Sequence, residues 1–185
     1  ELDRPGEWFV DREKGLLFFW PPDTPGEGDL MVSKADTAAV FADASHVTLR
    51  GLVFEGFRGT VVSVSGGAGV RVSGCTFRNG SGGAVSAEGG AGHTVAGCDI
   101  HGMGRNGIRL SGGDRTTLTP AGHAAENNHI WDYGRWSRMY QTAISLDGVG
   151  NRALRNLIHD APHMAVGFGG NDHLIEGNEI HRVCL

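Results

Sequence analysis

Asp147 is the residue of this 185-residue chain whose surroundings most suggest chemistry. It lies in the run TAISLDG, in which Ile144 and Leu146 alternate with Ser145 and Asp147. Such alternation indicates a strand with one buried face, so we expect Asp147 on the outer face. A carboxylate held there could act as a general acid or base. The other interpretation is an ordinary Asp-Gly turn, because Gly148 follows directly.

The segment before this strand, WDYGRWSRMYQ, is rich in aromatic and basic residues. Aromatic side chains can stack on the faces of sugar rings, and arginine can bind a carboxylate or sulfate through its planar guanidinium. The candidates for substrate binding in this segment are Tyr133, Arg135, Trp136, Arg138 and Tyr140. For each residue taken singly, the alternative is a loop that packs on itself.

Two histidines stand in the run IHDAPHM, ahead of the glycine-rich strand AVGFGG. We predict that His163 acts as an acid, a base or a substrate ligand, since imidazole exchanges protons near neutral pH. His159 is a further candidate for substrate binding. Asn171 and Asp172 follow the glycine-rich strand, where they either bind substrate at its rim or cap the turn.

A repeat along the whole chain indicates how these residues are positioned. Apolar anchors recur at Phe54, Phe77, Ile100, Ile130, Ile158 and Ile180, with a first step of 23 residues and a last step of 22. Each unit holds three short alternating runs separated by Gly, Asn or Ser. Strands this short cannot bury a face alone, but stacked coils can. The sequence therefore predicts an all-β, right-handed parallel β-helix, a pectate-lyase-like solenoid of about five to six coils.

A leucine-rich repeat has a similar period, but its asparagine- and leucine-rich signature is missing. We expect residues 1–30 to form a β-hairpin and lead-in segment, and residues 31–185 to form the coils. Insertions are expected near 113–126 and 132–141. The chain lacks an initiating Met and stops within a strand-like pattern, so we expect it to be a segment of a longer solenoid.

Alternation in the third run of each coil separates inward from outward positions. The side chains expected to be buried include Leu49, Phe54, Val72, Phe77, Val95, Ile100, Ile144 and Phe168. One outward column holds Ser65, Glu88, Ser111, Asp147 and Gly169, and its neighbour holds Ser63, Ser86, Arg109, Ser145 and Gly167. The bare glycines would leave a floor on which a sugar ring could lie.

Glu88 and Asp147 share an outward column with one coil between them. Two coil rises give about 9.6 Å. This value is at the upper edge of the roughly 6.5–9.5 Å expected between the carboxyl groups of inverting glycosidases. Glu88 is therefore a candidate catalytic partner of Asp147, and Arg109 and Ser145 are candidate substrate ligands on the same face.

The remaining polar columns have structural interpretations. Asn128, Asn156 and Asn178 repeat two residues before their anchors and predict a buried asparagine ladder. Asp132 and Asp160 stack with Arg182, and an Asp–Arg pair explains them better than Ca²⁺, which stays a minority interpretation. The stacked histidines lack a tetrahedral ligand set, so we predict no zinc site and no other cofactor.

Composition limits the partners. The net charge is -5 and the pI is near 6.0, and no run of Lys or Arg contradicts this balance. Both observations argue against nucleic acid as a partner. No apolar run approaches the roughly 20 residues that a membrane span requires. We expect a polysaccharide or oligosaccharide partner, and the sequence defines no protein partner.

The stretch from YGRWSRMYQTAISLDGVGN through LIHDAPHMAVGFGGNDHLIEGNEIH, together with GEWFVDREKGLLFFWPP, resembles bacterial right-handed β-helix proteins that act on polysaccharides. It looks most like relatives of glycoside hydrolase family 141. The resemblance implies a secreted, periplasmic or cell-surface hydrolase of plant cell-wall type glycans with two catalytic acids. Asp147 matches one of these acids. The other would fall beyond Leu185, so this segment alone is expected to be inactive.

Two other functions stay open at this stage. A β-helix polysaccharide lyase or epimerase would need a base such as His163, basic residues for a uronate and often Ca²⁺. A non-catalytic carbohydrate-binding β-helix would need no catalytic groups.

Overall fold

The computed structural model describes residues 2–26 and 30–184. They form two compact units that divide between Val32 and Ser33. The first unit contains an antiparallel hairpin of strands β1 (Trp8–Asp11) and β2 (Leu16–Phe19). The Asp11 carboxylate accepts the backbone N–H groups of Glu13 (3.1 Å) and Lys14 (3.0 Å) and so fixes the turn. The predicted N-terminal hairpin is confirmed.

The second unit consists of short strands in three sheets, and its described residues contain no helix. The first sheet contains β4 (Thr48–Arg50), β7 (Arg71–Ser73), β10 (Thr94–Ala96), β13 (Ala124–Glu126), β16 (Arg152–Leu154) and β19 (Leu174–Glu176). The second sheet contains β5 (Val53–Glu55), β8 (Thr76–Arg78), β11 (Asp99–His101), β14 (His129–Trp131), β17 (Leu157–Ala161) and β20 (Glu179–Val183). The third sheet contains β3 (Ala39–Ala42), β6 (Val62–Ser65), β9 (Val85–Glu88), β12 (Ile108–Gly112), β15 (Ile144–Val149) and β18 (Val166–Asn171).

Every strand of these sheets pairs in parallel with its counterpart one coil away, for example β15 with β12 and β18. The predicted anchors fall in one column of the second sheet, where Ile130 pairs with Ile100 and with Ile158. The chain therefore winds repeatedly through the three sheets as a right-handed parallel β-helix, which confirms the predicted fold.

The inward columns form the core. Val72, Phe77, Val95, Ile100 and Ile144 are each at most 2% exposed, as predicted. In the third sheet, Ile144 and Leu146 are buried while Asp147 is exposed, so the register behind the candidate site is correct. A slip by one residue would have reversed these faces.

Three inward predictions differ in degree or fail. Leu49 and Phe54, in the first coil, are only partly buried, although both pack against the core. Phe168 is 71% exposed, so the prediction that it is buried is wrong. Its position pairs with the buried Leu146, but it lies in the outermost strand of the third sheet, and no strand of the described residues covers it.

The two expected insertions lie in the fourth coil. Residues 113–123 form an excursion in which Asp114 and Thr119 bridge each other, and Ala124–Glu126, which the sequence analysis placed inside the insertion, form strand β13. Residues 132–143 form a loop without regular strands between β14 and β15.

The predicted asparagine ladder is present in the core beside the second sheet. The Asn156 side-chain oxygen accepts from the backbone N–H and the side-chain N–H of Asn128, both at 3.0 Å. Asn178 does the same for Asn156, at 2.9 and 2.8 Å. Each amide nitrogen also donates to a carbonyl of an earlier coil, such as that of Val95. The ladder thus satisfies the buried turn backbone.

A second ladder, which the sequence analysis missed, lies in the turn between the third and first sheets. The backbone N–H of His93 donates to Nδ1 of His123, and that of His123 donates to the Asn151 side chain, both at 3.1 Å. His173 accepts in the same way from Asn151. The signal was available, because His93, His123, Asn151 and His173 each stand at the start of a first-sheet run.

Candidate functional site

Asp147 is held from two sides at the outer face of β15. Its Oδ1 accepts the backbone N–H of Gly148 at 2.8 Å. Its backbone carbonyl accepts from the side chain of the fully buried Asn151 at 2.7 Å. Among the described residues, the second oxygen accepts no hydrogen bond, and the side chain is exposed. The turn and the chemical interpretations of Asp147 are therefore compatible, because one oxygen serves the turn.

Glycine is required after Asp147. Gly148 has φ +92, and a Cβ there would lie 2.0 Å from the carbonyl oxygen of Gly112 in the preceding coil. On the other side of Asp147, a Cβ at Gly169 would lie 3.6 Å from Asp147 Oδ1 and within 4 Å of no other described residue outside its own chain neighbours. Open space therefore adjoins the carboxylate, as the sequence analysis expected from the bare glycines.

Glu88 and Arg109 lie on the same outer face. Register places Glu88 beside Ser111 and Ser111 beside Asp147, so one coil separates the two carboxylates. Arg109 Nε lies 3.8 Å from Glu88 Oε1, and Ser86 Oγ donates to the same oxygen at 3.4 Å. Both partners of the Glu88–Arg109 pair are more than half exposed, so the pair contributes little to stability and is free to bind a ligand.

An open cleft of 660 Å³ runs beside this face, over the turns that lead into the third sheet. We call it the turn cleft, and Glu88, Arg109 and Trp136 are among its lining residues. The structure thus brings together three predicted site residues from three coils. Asp147 is not in the lining and lies further along the same face.

Several lining residues were missed by the sequence analysis. Arg58, Arg105 and Asn106 line the turn cleft together with a floor of glycines. At Gly82, a Cβ would lie 2.2 Å from the carbonyl oxygen of Gly59, so only glycine allows these turns to stack. The repeat could have revealed them, because Gly59, Gly82 and Arg105 are spaced by 23 residues.

The loop after β14 supplies Trp136 to the turn cleft. The Trp136 backbone N–H donates to Gly104 at 3.1 Å, and a Cβ at Gly104 would lie 2.3 Å from the indole ring. Because Gly104 has no side chain, it leaves room for the indole ring, and Trp136 is 63% exposed. This arrangement suits the predicted stacking of Trp136 on a sugar face.

Tyr133 does not have the predicted role. It is 1% exposed, and its hydroxyl donates to the carbonyl of Met164 at 2.8 Å. Burial raises the pKa of its phenol above the usual range. Tyr133 is therefore a core residue that anchors the loop, and no face of its ring is available for a ligand.

His163 lies in the turn between β17 and β18, beside the loop. Its ring is 5.6 Å from the ring of the exposed Tyr140, measured between centroids. Its Nδ1 is buried and has no hydrogen-bond partner among the described residues. The structure thus brings together His163 and Tyr140, two of the residues predicted for the site.

His159 lies on the second sheet, not beside Asp147 on the third sheet, so its predicted place in the substrate site is wrong. Its Nδ1 is 2.7 Å from Asp160 Oδ2, and Arg182 holds the same carboxylate through two nitrogens. The hydrogen bonds from Arg182 and His159 lower the pKa of Asp160 far below its usual range. The expected Asp–Arg pair is confirmed, and it occupies the carboxylate that the calcium interpretation needed.

The other predicted ligands lie at the edges of this region. Arg138 is exposed, and Arg135 lies 3.7 Å from Asp132 in a pair that is about half exposed. Ser145 pairs with Gly167 on the outer face. Asn171 and Asp172 are exposed at the far end of β18, and Asp172 has φ +57, as expected of a turn residue. Within the described residues, no group of three or more His, Cys, Asp or Glu side chains could hold a metal ion.

The three parallel sheets, with polar and charged side chains on the outer face of the third sheet, define the class of protein as a right-handed parallel β-helix. A family model described as "Right handed beta helix region" matches residues 29–132, more than half of the chain. The chain therefore belongs to this family, whose fold is pectate-lyase-like and related to carbohydrate-acting proteins. No curated protein and no solved structure gives a significant match. No helix in the described part is long and apolar enough to cross a membrane.

Proposed function

We propose that the protein is a glycoside hydrolase of the β-helix type that acts on plant cell-wall type glycans, as the resemblance to glycoside hydrolase family 141 implies. The observation that carries the proposal is the pair of exposed carboxylates, Glu88 and Asp147, in one outward column of the third sheet. Two coil rises of about 4.8 Å separate their backbones. This spacing leaves room for a sugar and a water molecule between an acid and a base, as inversion requires.

The surroundings of the pair fit a polysaccharide. Trp136 offers an exposed ring at one side of the turn cleft, and Gly167 and Gly169 leave the face beside Asp147 open. In this proposal Trp136 stacks on one sugar, Arg109 orients Glu88 and binds a hydroxyl, and the chain of sugars runs along the solenoid axis past Asp147. His163 and Tyr140 contact the sugars on the loop side.

The test is hydrolysis of a panel of xylans and fucosylated cell-wall oligosaccharides, measured as release of reducing ends. Asp147→Asn and Glu88→Gln should each lower kcat by about 10²–10⁴-fold, the usual contribution of a general acid or base. Asparagine can still accept the Gly148 N–H, so Asp147→Asn should fold normally. Glu179→Gln, which removes an exposed acid on the second sheet, is the matched control and should retain full activity.

Each outcome identifies one scheme. Loss in Asp147→Asn with normal activity in Glu88→Gln would support a partner acid other than Glu88. Normal activity in both variants would exclude this pair. If this chain binds a glycan but hydrolyses none, Glu88 and Asp147 are not a sufficient catalytic pair. The protein is then a non-catalytic carbohydrate-binding β-helix unless a longer chain hydrolyses the same glycan, and weaker binding on Trp136→Ala would place that glycan in the turn cleft.

A lyase or epimerase acting on uronates is the second candidate, because Arg58, Arg105 and Arg109 all line the turn cleft. Their positive charges suit a carboxylated sugar. This candidate predicts unsaturated sugar products or an epimerised uronate, with a strong loss of activity in Arg109→Gln. Reducing ends without unsaturated products would contradict it.

A further inference from the structure

The outer face of the second sheet carries a row of histidines that the proposed hydrolase does not use. We call it the histidine row, made up of His101, His129, Trp131, His159 and His181. The rings of His101 and Trp131 stack at 4.4 Å, and those of His159 and His181 stack at 5.0 Å with an interplanar angle of 2°. Most of this row follows from the repeat, which aligns Trp131 with His159 and with His101.

His129 departs from this pattern. It lies in a different column of the second sheet from Trp131, and its register partner in the next coil is Leu157. Its ring nevertheless leans over Trp131, 4.0 Å between centroids, and its Nε2 lies 2.7 Å from Nε2 of His159. Two ring nitrogens of neighbouring coils therefore point at each other and share one proton, since one must donate and the other accept.

The opposite nitrogen of each ring faces a carboxylate. His159 Nδ1 lies 2.7 Å from Asp160 Oδ2, and His129 Nδ1 lies 3.7 Å from Asp99 Oδ1. Arg182 fixes the Asp160 carboxylate from the other side. The hydrogen bond to Asp160 keeps the proton of His159 on Nδ1 and leaves its Nε2 as the basic nitrogen, which is the arrangement behind most metal-binding histidines. Asp99 lies too far from His129 for a hydrogen bond and acts on that ring through its charge alone.

We propose that His129 and His159 bind one divalent transition-metal ion through their Nε2 atoms, with water in its remaining positions. Imidazole nitrogen suits Zn²⁺, Cu²⁺ and Ni²⁺. Zinc binds histidine at about 2.0–2.1 Å, and two such ligands of a tetrahedral ion are about 3.4 Å apart. The two nitrogens must therefore move apart by about 0.7 Å from their present separation. The ion takes the place of the shared proton.

The charges around the pair favour a cation. Asp99, Asp160 and Glu179 carry negative charge on this face, and Arg182 is the positive residue bound to Asp160. His129 was not among the stacked histidines that the sequence analysis considered for zinc. Its position off the column explains why the repeat did not reveal the pair.

The test is titration of the 185-residue chain, freed of any polyhistidine tag, with zinc chloride in a calorimeter at pH 7.5. Saturable binding of one ion per chain is expected. His129→Gln and His159→Gln should each abolish it, and Asp160→Asn should weaken it by about 10–100-fold, the usual effect of removing a carboxylate behind a metal-binding histidine. His181→Gln, in the same row but without a converging nitrogen, is the matched control and should bind normally.

A thermal melt gives a second measurement. Zinc should raise the Tm of the wild-type chain and of His181→Gln, and leave that of His129→Gln and His159→Gln unchanged. The proposal is overturned if the wild-type chain shows no saturable binding. It is also overturned if the double variant His129→Gln/His159→Gln binds zinc as tightly as the wild type, which would place the ion elsewhere. None of these residues belongs to the proposed hydrolase, so its failure and that of the metal site are distinguishable.

Discussion

His123 is a titratable side chain with no exposed surface, at the centre of the second ladder. Its Nδ1 accepts the N–H of His93, and its Nε2 is buried without a hydrogen-bond partner in the described part of the chain. Burial, followed by the nearby His93, lowers the pKa of His123 from 6.5 to about 4. The ring is therefore neutral in the folded protein at neutral pH, and the fold depends on its staying neutral.

This dependence predicts acid destabilisation with a defined window. Between about pH 6.5 and pH 4 the unfolded chain binds a proton at His123 that the folded chain does not, so stability falls as the pH falls. The shift from 6.5 to about 4 corresponds to a total loss of about 3 kcal/mol, complete near pH 4. The free energy of unfolding, measured with urea at a series of pH values, should show this decline.

The variant His123→Asn isolates the effect. Asparagine accepts a backbone N–H at the equivalent position of the next coil, in Asn151, so it should keep the ladder while removing the ionisable ring. In this pH window, the free energy of unfolding should then fall less steeply as the pH falls. The change in slope should correspond to at most one proton fewer taken up on unfolding. His46→Asn changes an exposed histidine and is the control that should leave the slope unaltered. An unchanged slope in His123→Asn would exclude His123 as the source.

At the scale of the elements, the asparagine ladder joins strands that are too short to be stable singly. Asn128 satisfies three groups: it accepts from the Cys98 N–H and donates to the Val95 carbonyl and to the Asn156 side chain. Each buried group left without a partner costs about 1–3 kcal/mol. Asn128→Ala should therefore lower the free energy of unfolding by roughly 2–5 kcal/mol, measured by urea denaturation.

The neighbouring Asn127 provides the control. It is exposed and has φ +52, a conformation that glycine adopts readily, so Asn127→Gly should change stability by less than about 1 kcal/mol. Similar losses in the two variants would mean that the buried hydrogen bonds of the ladder do not stabilise the coils.

The repeat explains which parts of the fold and the site were predictable. Alternation and a constant period determine the inward column, the asparagine ladder and the outward positions of Glu88, Arg109 and Asp147. The loop at 132–143 lies outside the repeat, so its sequence did not reveal that Tyr133 is buried while Trp136 is exposed. The contact between His129 and His159 depends on side-chain rotation across two columns, which no period encodes.

At the scale of the whole molecule, the position of a coil along the stack determines how much an inward side chain contributes to the free energy of unfolding. The β-helix is nearly one-dimensional, so each coil is covered only by the coils next to it. Leu146 and Phe168 are register partners in one inward column of the third sheet. Leu146 has a coil on each side and is 1% exposed, whereas Phe168 lies in the outermost described strand and is 71% exposed.

This difference yields a paired prediction. Leu146→Ala should lower the free energy of unfolding by about 2–5 kcal/mol, because it removes buried methyl groups and leaves a cavity between two coils. Phe168→Ala removes a larger side chain but one that is mostly in water, so its cost should stay below about 1 kcal/mol. Urea denaturation of both variants, with circular dichroism at the β-sheet minimum, measures the two losses. If Phe168→Ala cost as much as Leu146→Ala, another surface would have to cover Phe168 in solution, and its loss would then depend on protein concentration if that surface were a second copy of the chain.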